Sequence, residues 1–374
     1  MKFCFFGNVS DALSGRTPGG GELQVAYLAK ALALKGHEVV IVDPSAVESF
    51  VTAEGVKLIK VPDWNKGFRG VRLFRYRIPA LKKILAEQKA DYYYVRMRSY
   101  LHLVPYLVSR RLKSKFIVAI ACDLDILSFW TKVRYEYKPK FNLIQLLTLS
   151  VPNDIVFNYL LKRADYVTIQ HTGQQLNSGS GKSKSILFPN IFNFGNITPS
   201  RKNPTGEYFV HVGSLTVLKG SINLLRLLRK IDKKNNKFVI IGKPKDSRSE
   251  KIYKELGKLE NVTLMGAVDH RQAIETIANA KALISTSNFE GFPNIFLEAW
   301  ATGVPVISLK VNPGNVIQKR GLGISCEGDL EKMKTSIESN ATANIERSNL
   351  TSYVSQYHDF HTAADRFLNL INHP

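Results

Sequence analysis

Two glutamates, Glu290 and Glu298, lie in the segment whose residue types best support chemistry, SNFEGFPNIFLEAWATGVPVI (residues 287–307). Gly291 and Pro293 indicate a turn into a helix, so that Glu290 stands on the loop and Glu298 lies about one turn inside the helix. A helix N-terminus offers unpaired N–H groups and a positive dipole end, which suit a diphosphate. The two carboxylates can accept hydrogen bonds from neutral hydroxyls, such as those of a polyol or a ribose.

Strands alternate with helices along the sequence, and this alternation predicts parallel sheets built from β–α–β units. In the first half, apolar runs predict strands at residues 2–7, 38–42, 56–61, 92–95, 116–121 and 166–170. In the second half they predict strands at residues 208–212, 238–241, 262–265, 282–285 and 306–308. Helical spacing predicts helices at residues 221–231, 249–259, 270–279 and 293–302. Ligands are expected at the carboxyl ends of such strands.

The length of 374 residues exceeds what one hydrophobic core usually organises, which predicts two domains. Residues 189–206 are rich in Asn, Pro and Gly, as is typical of a linker. We therefore expect a first domain over residues 1–192 and a second over residues 193–351. The C-terminal helical segment, residues 352–374, carries aromatic side chains and is expected to pack back on the first domain.

Composition excludes several classes of protein. A hydrophobic fraction of 44% argues against a disordered chain. The three cysteines, Cys4, Cys122 and Cys326, are too far apart for a disulfide framework or a CxxC metal site, which favours a reducing compartment. The longest apolar run, residues 116–122, is too short for a transmembrane helix. We expect a soluble cytoplasmic protein.

The net charge of +21 is concentrated between positions 66 and 115, where 14 Lys or Arg face two Asp or Glu. Near residues 70–89 basic side chains interleave with apolar ones, a pattern that suits an anionic membrane surface. The basic residues are Arg72, Arg75, Arg77, Lys82 and Lys83, and the apolar ones are Leu73, Phe74, Ile78, Leu81 and Leu85. Alternatively the apolar stripe is core and the arginines form a solvated face. Nucleic acid ranks third, because no helix-turn-helix, zinc-finger or RNP signature accompanies the charge.

Three segments together resemble one enzyme family. EGFPN…LEAWATGVPVI resembles the E-x7-E region of the retaining GT-B glycosyltransferases of glycosyltransferase family 4. VGSLTVLKGSINLL (residues 212–225) resembles that family's strand–turn–lysine–helix element, and PGGGELQVAYLAKALALKGHEV (residues 18–39) resembles its glycine-rich loop and first helix. The resemblance implies a GT-B α/β fold, with two Rossmann-like, doubly wound parallel-sheet domains facing a central cleft. It also favours the bacterial exopolysaccharide or O-antigen type.

The same resemblance implies a donor site for a nucleotide diphosphate sugar. Lys219 would neutralise the diphosphate, Glu290 would hold the sugar hydroxyls, and Glu298 would bind the ribose. Gly20 and Gly21 would let the backbone approach the phosphate. The remaining implied donor-binding residues are Gly242 and Val268, at the nucleobase, and Phe292, Pro293, Asn294 and Ile295, at the phosphate and sugar. The alternatives are ordinary turns for the glycines and a solvated side chain for Lys219.

The sequence departs from the family at two places. Ser214 stands where many members have an arginine, so one cationic contact is missing unless Arg16 or Lys243 replaces it. Where the family often has a histidine near the reacting sugar, this chain has Cys-Asp-Leu-Asp, and Asp123 could orient or deprotonate the acceptor hydroxyl. Alternatively Asp123 or Asp125 caps the following helix. No metal is expected, because in this family a lysine and a helix dipole replace the cation.

The resemblance therefore implies a metal-independent retaining hexosyltransferase, with Glu290, Lys219 and Asp123 as its catalytic residues and a hydroxyl acceptor. The basic first half favours a peripheral enzyme at the cytosolic face of a membrane, acting on a polyprenyl-diphosphate-linked glycan in surface polysaccharide biosynthesis. The alternatives are a soluble sugar or small metabolite as acceptor, or a non-catalytic protein that binds a sugar nucleotide or polyanion. No residue discriminates between UDP, GDP and ADP.

Overall fold

The computed structural model describes residues 1–15, 19–137, 142–175, 183–196 and 206–372. The chain divides into two units, each formed by more than one segment. Unit 1 comprises Met1–Ala121, Asn142–Ile191 and Phe360–Pro374, and unit 2 comprises Cys122–Phe141 and Phe192–Asp359. Each unit holds one sheet with its own helices.

Unit 1 is built on an eight-stranded sheet whose pairs are parallel except for the edge pair β3–β4. Its strands are β1 (Lys2–Phe6), β2 (Glu38–Asp43), β3 (Phe50–Val51), β4 (Lys57–Lys60), β5 (Tyr92–Arg96), β6 (Lys115–Ala119), β7 (Tyr166–Ile169) and β8 (Lys184–Leu187). Their order is β3-β4-β2-β1-β5-β6-β7-β8. The direction of winding reverses between β1 and β5, which makes that pair the topological switch point. The central strands are nearly continuous buried apolar runs, as expected for a parallel sheet covered on both faces.

The helices of unit 1 connect these strands. They are α1 (Ser10–Leu13), α2 (Gly20–Leu34), α3 (Arg69–Arg72), α4 (Ile78–Gln88), α5 (Leu103–Leu112), α7 (Leu143–Gln145), α8 (Val151–Arg163) and α16 (Phe360–Asn372). π-helical turns at Leu73–Arg77 and Leu146–Ser150 lead into α4 and α8, and 3₁₀ turns lie at Tyr100–His102 and Thr172–Gln174.

Unit 2 is built on a six-stranded, fully parallel sheet. Its strands are β9 (Tyr208–Val212), β10 (Lys237–Ile241), β11 (Val262–Gly266), β12 (Leu283–Ser285), β13 (Val306–Ser308) and β14 (Gly323–Ser325), in the order β11-β10-β9-β12-β13-β14. Its helices are α6 (Phe129–Lys132), α9 (Ser221–Lys230), α10 (Ser247–Leu256), α11 (His270–Ala278), α12 (Asn294–Ala301), α13 (Val316–Lys319), α14 (Leu330–Glu338) and α15 (Arg347–His358). A π-helical turn lies at Val133–Tyr137, and 3₁₀ turns lie at Asp123–Ile126, Phe194–Asn196 and Pro313–Asn315. The switch point of this sheet lies between β9 and β12.

The two doubly wound parallel sheets predicted from the sequence are confirmed, and every predicted strand is present within two residues of its expected bounds. Strands β3, β8 and β14 were not predicted. The first residues of β8 belong to a stretch whose Ser and Gly content is typical of a loop, and β14 contains Gly323 and only three residues. Most of the expected linker, at residues 197–205, lies outside the described residues.

The structure differs from the predicted domains in two places. Cys122–Phe141 lies with unit 2, because the N–H of Asp123 donates to the carbonyl oxygen of Glu290 (3.0 Å) and the ring of Tyr135 packs edge-on against Phe289 (centroids 4.9 Å apart). The C-terminal segment is divided at Asp359, so that α15 belongs to unit 2 and only α16 to unit 1. The apolar face of each helix determines the unit to which the helix belongs. Residues of α15 are buried in the core of unit 2, and residues of α16 are buried in the core of unit 1.

Helix α16 completes the core of unit 1. Phe367 is fully buried, with its ring centroid 5.2 Å from that of Phe188 and 6.3 Å from that of Tyr94. The hydroxyl of Tyr166, on β7, donates to the carbonyl oxygen of Ile371 (3.0 Å). The helix is therefore an integral part of unit 1, although Tyr166 and Ile371 lie 205 residues apart in the sequence.

Replacing Phe367 with alanine is expected to destabilise unit 1 by about 3–5 kcal/mol, because it removes a buried ring and leaves a cavity. Urea denaturation followed by circular dichroism measures the change. Asn369→Ala, at an exposed position of the same helix, is the control and should change stability by less than about 0.5 kcal/mol. Equal midpoints for the two variants would contradict the assignment of α16 to this core.

Candidate functional site

Three adjacent strands of unit 2 each end in a glycine with positive φ. Gly213, Gly242 and Gly266 have φ of 150°, 135° and 70°. The N–H of Gly242 donates to the carbonyl oxygen of Gly266 (2.6 Å), and a Cβ atom on Gly242 would lie 2.0 Å from the carbonyl oxygen of Gly213. At the carboxyl edge of the sheet, these three neighbouring residues therefore carry no side chain. One of them is Gly242, for which the sequence predicts a contact with the nucleobase.

The loop from β9 to α9 is held by one asparagine. The side-chain amide of Asn288 donates to the carbonyl oxygen of Val217 (2.8 Å), and its backbone N–H donates to that of Leu218 (2.9 Å). The N–H of Lys219 donates to the hydroxyl of Thr216 (3.2 Å). These bonds fix the backbone on which Lys219 stands.

The loops that follow β9 and β12 also touch directly. Gly220 has φ of 70°, and a Cβ atom on it would lie 1.7 Å from the carbonyl oxygen of Thr286. The hydroxyl of Thr286 donates to the carbonyl oxygen of Gly220 (3.1 Å). Since β9 and β12 flank the switch point, this contact lies where a ligand is expected in a doubly wound sheet.

The structure pairs Lys219 with Glu290 and places the backbone of Asp123 against that of Glu290. The ammonium of Lys219 lies 2.5 Å from Oε1 of Glu290, and their side chains are 34% and 17% exposed. The backbone N–H of Asp123 donates to the carbonyl oxygen of Glu290 (3.0 Å). The buried carboxylate of Asp125 accepts the N–H of Cys122 (2.9 Å) and caps the 3₁₀ turn in which Asp125 itself lies, whereas the hydroxyl of Ser128 caps the following helix, α6.

The second glutamate of the pair has a basic partner that sequence analysis missed. Oε1 of Glu298, on α12, lies 3.2 Å from Nε2 of His270, the first residue of α11. The hydrogen bond to the Glu298 carboxylate raises the pKa of His270, against an opposing effect of burial. No sequence signal links these positions, which lie 28 residues apart.

The other predicted donor-binding residues of unit 2 surround α12. The ring of Phe292 is buried, with its centroid 4.7 Å from that of His358, so its side chain is part of the core. Pro293 precedes the first residue of α12, while Asn294 and Ile295 form its half-buried first turn. Val268 packs against the same core just before α11, and Ser214 follows Gly213.

Gly20 and Gly21 lie in unit 1, in the first turn of α2. A Cβ atom on Gly21 would lie 2.8 Å from Sδ of Met97. Close packing against Met97 therefore explains a glycine at this position without any phosphate contact. Arg16 lies outside the described residues. In the described part of the chain, no group of three His, Cys, Asp or Glu side chains could hold a metal ion. The phosphate contact of the two glycines stays a prediction.

The predicted basic, amphipathic helix divides into structural and exposed residues. Arg72 donates to the carbonyl oxygen of Gly67 (2.9 Å), and Arg77 donates to that of Trp64 (2.9 Å) and covers its indole ring. Both arginines are half-buried, so they hold the preceding loop.

Arg75, Lys82 and Lys83 are exposed. Leu81 and Leu85 are fully buried, whereas Phe68 and Phe74 are 80% and 73% exposed. The alternative that the apolar stripe is core is thus confirmed for the two leucines, and an exposed aromatic and basic surface remains around Phe74 and Arg75. Within the described ranges, no helix has both the length and the apolar character to cross a membrane.

Comparisons with solved structures identify the fold. The fold is that of the GT-B glycosyltransferases: sucrose-phosphate synthase from Thermosynechococcus elongatus superposes with a TM-score of 0.77 at 16% identity, over 100% of this chain and 98% of that one. A structure of Anabaena HepE in complex with UDP and glucose gives 0.68 at 17% identity, over 100% and 99%. WaaG, described as a glycosyltransferase involved in lipopolysaccharide biosynthesis, gives 0.68 at 17%, over 100% of both chains. These likenesses establish the fold.

The sequence comparisons find matches to part of the chain. Residues 196–353 match the model of the family "Glycosyl transferases group 1", which supports the predicted class of enzyme. An uncharacterized glycosyltransferase of Methanocaldococcus jannaschii is 23% identical over 177 residues, 43% of this chain and 43% of its own length. One subunit of the phosphatidylinositol N-acetylglucosaminyltransferase of Arabidopsis thaliana is 23% identical over 180 residues, 46% of this chain and 40% of its own length. The matches thus span about two fifths of each relative.

The His270–Glu298 pair predicts a measurable titration. We expect a pKa above 6.5 for His270 in the wild type and a lower one in Glu298→Gln, because the carboxylate favours the imidazolium. Since the folded-state pKa is raised, the stabilisation by this pair is present below the unfolded pKa and is lost as the pH rises through the folded one. Proton–carbon NMR of the histidine rings measures both values, and an unchanged pKa in the variant would contradict the pairing.

Proposed function

We propose that the protein is a metal-independent, retaining glycosyltransferase that moves a hexose from a nucleotide diphosphate sugar to a hydroxyl group of an acceptor. The observation that carries this proposal is the pairing of Lys219 with Glu290 at the switch point of unit 2. The match to the group 1 family over residues 196–353 supports it, as do the complexes of HepE with UDP and with UDP-glucose.

The pair provides one group for each part of the donor. When the donor binds, the ammonium of Lys219 pairs with the diphosphate in place of Glu290. The sugar hydroxyls then donate hydrogen bonds to the carboxylate of Glu290. The exchange is inexpensive, because a partly exposed ion pair contributes only about 0–1 kcal/mol. Lys219 then stabilises the charge that develops on the leaving diphosphate.

Glu298 and the first turn of α12 would bind the rest of the nucleotide. The carboxylate of Glu298 accepts hydrogen bonds from the ribose hydroxyls, as acidic side chains do in other nucleotide sites. The positive dipole end of α12, at its N-terminus, would face a second phosphate oxygen. His270 holds the Glu298 carboxylate in place through its hydrogen bond.

Retention follows in this proposal from attack on the same face as the leaving group, through an oxocarbenium-like state. The acceptor hydroxyl forms the new bond to the anomeric carbon while the bond to the diphosphate oxygen breaks, and the leaving phosphate takes the acceptor proton. Glu290 positions the sugar and forms no covalent bond. Asp123 stands on the backbone beside Glu290 and orients the acceptor hydroxyl.

A nucleoside diphosphate is expected to raise the melting temperature of the wild type. At a hundredfold excess over Kd, its binding adds about 2.7 kcal/mol to the free energy of unfolding. Glu298→Ala should abolish the shift, because it removes the ribose contact, and a thermal-shift panel of UDP, GDP and ADP measures both. Glu275→Ala, an exposed position on α11, is the matched control. Absence of a shift with every nucleotide would contradict the donor site.

Lys219→Ala is expected to lower the turnover rate by a factor of roughly 10²–10³, because one preorganised charge at the leaving group is lost. The substrate is the sugar derivative of whichever nucleotide stabilises the wild type. Release of the nucleoside diphosphate from its sugar measures turnover. Nucleotide binding without turnover in the wild type, across acceptors and membrane extracts, would instead favour a non-catalytic binding protein.

For the acceptor, we propose a polyprenyl-diphosphate-linked glycan reached from the cytosolic face of an anionic membrane, in surface polysaccharide biosynthesis. The exposed rings of Phe68 and Phe74 beside Arg75, Lys82 and Lys83 support this choice, because apolar groups beside cations bind the interface of anionic bilayers. WaaG is described as acting in lipopolysaccharide biosynthesis, which is compatible with such an acceptor.

Flotation with vesicles that contain anionic lipid should recover the wild type at low salt and lose it at high salt, since the attraction is screened. Phe74→Ser combined with Arg75→Gln should weaken binding at low salt. Lys233→Gln with Lys234→Gln, which removes two exposed charges from unit 2, is the control. No association at any salt concentration would exclude the lipid route and favour a soluble acceptor.

A further inference from the structure

Unit 1 contains a cavity at the switch point of its own sheet. Its volume is about 1020 Å³, and its wall includes residues that follow β1 and β5, the two strands between which the winding reverses. Crevices at such points are the usual ligand sites of doubly wound sheets. The cavity lies wholly within unit 1 and is separate in the sequence from the Lys219 site.

A buried arginine at this cavity has no counter-ion among the described residues. Arg96, the last residue of β5, lines the cavity and is 7% exposed. Its Nη2 donates to the side-chain oxygen of Asn190 (3.0 Å), while its Nε has no hydrogen-bond partner in the described structure. A buried charge without an ionic partner is costly, so an anion is expected to satisfy it.

The other basic side chains of the wall are already engaged. The ammonium of Lys60 donates to a backbone carbonyl oxygen (2.6 Å), Lys66 pairs with Asp63 (3.3 Å), and Arg98 pairs with Asp154 (2.7 Å). The acidic residues that line the cavity are Asp63 and Glu22. Arg96 is therefore the group that an incoming anion would meet.

Two neighbours of Arg96 add to the site. His102 also lines the cavity, is buried, and has an Nδ1 atom without a partner in the described structure. Burial lowers the pKa of His102 to about 3, so its ring is neutral at pH 7 and can exchange a hydrogen bond with a hydroxyl. Met97 has φ of 69°, an uncommon conformation for a residue other than glycine, and such outliers cluster at ligand sites.

We propose that this cavity binds the acceptor through a phosphate group held by Arg96, with a neighbouring hydroxyl held by His102. The guanidinium of Arg96 is planar and forked, a shape that suits a phosphate. The inference rests on the proposed function only in that it names the ligand as the acceptor. The phosphate belongs either to a lipid diphosphate or to a soluble sugar phosphate.

Calorimetric titration with inorganic phosphate and pyrophosphate, in the presence of saturating UDP, tests the site. We expect binding to the wild type, at least tenfold weaker binding to Arg96→Gln, and weaker binding to Arg96→Lys, because an ammonium cannot reproduce the fork. Arg111→Gln, an exposed position on α5, should bind as the wild type does. Equal affinity of the wild type and Arg96→Gln would overturn the proposal.

A measurement on the wild type alone covers the case in which the variants fail to fold. Crystals soaked in tungstate should show an anomalous peak at Arg96 within the cavity, and a cavity without such a peak would overturn the proposal. Arg96-dependent binding of phosphate, without any binding of UDP, GDP or ADP, would contradict only the nucleotide-sugar proposal. The opposite result would contradict only the anion site.

Two further ligands distinguish the sources of the phosphate. If the acceptor is lipid-linked, geranyl diphosphate should bind at least tenfold more tightly than pyrophosphate. If it is a soluble sugar phosphate, glucose 1-phosphate should bind more tightly than inorganic phosphate. Either gain, when lost in Arg96→Gln, supports the site, and no gain from either ligand would contradict an acceptor at this cavity.

Discussion

The backbone of Gly220 lies against the carbonyl group of Thr286, where a Cβ atom would come within 1.7 Å of the oxygen. Because the loops after β9 and β12 can approach each other this closely, Lys219 reaches Glu290 and Asn288 can bond the loop that carries Lys219. A side chain at position 220 would separate the loops and with them the two charged groups. The geometry of the site therefore depends on Gly220, a residue that has no side chain and supplies no functional group.

Both glutamates of the site are matched with a base of the same unit. Glu290 faces Lys219, and Glu298 faces His270. Each pair holds its carboxylate in a defined position through a direct contact with the basic side chain.

The sequence was sufficient to predict two parallel sheets, because long apolar runs that alternate with segments of helical spacing fit few other folds. The resemblance of three segments to glycosyltransferase family 4 also indicated Lys219, Glu290 and Asp123, whose roles stay predictions. The sequence was insufficient for His270, whose partner depends on how two helices pack, and for the division of residues 352–374, where both helices are apolar on one face. Phe292 was expected beside the ligand, but its ring fills the core instead. Short strands such as β14 carry too few residues for a periodic signal.

The place of α16 has a consequence for synthesis on the ribosome. Phe360 and Phe367 belong to the core of unit 1, yet they emerge only after all of unit 2 has been made. Domains generally fold as they leave the ribosome, the N-terminal one first. Here the N-terminal strands must wait with part of their apolar face uncovered until the last helix arrives, while unit 2 already has its complete sequence. The nascent chain therefore exposes apolar surface of unit 1 that α16 covers in the folded protein.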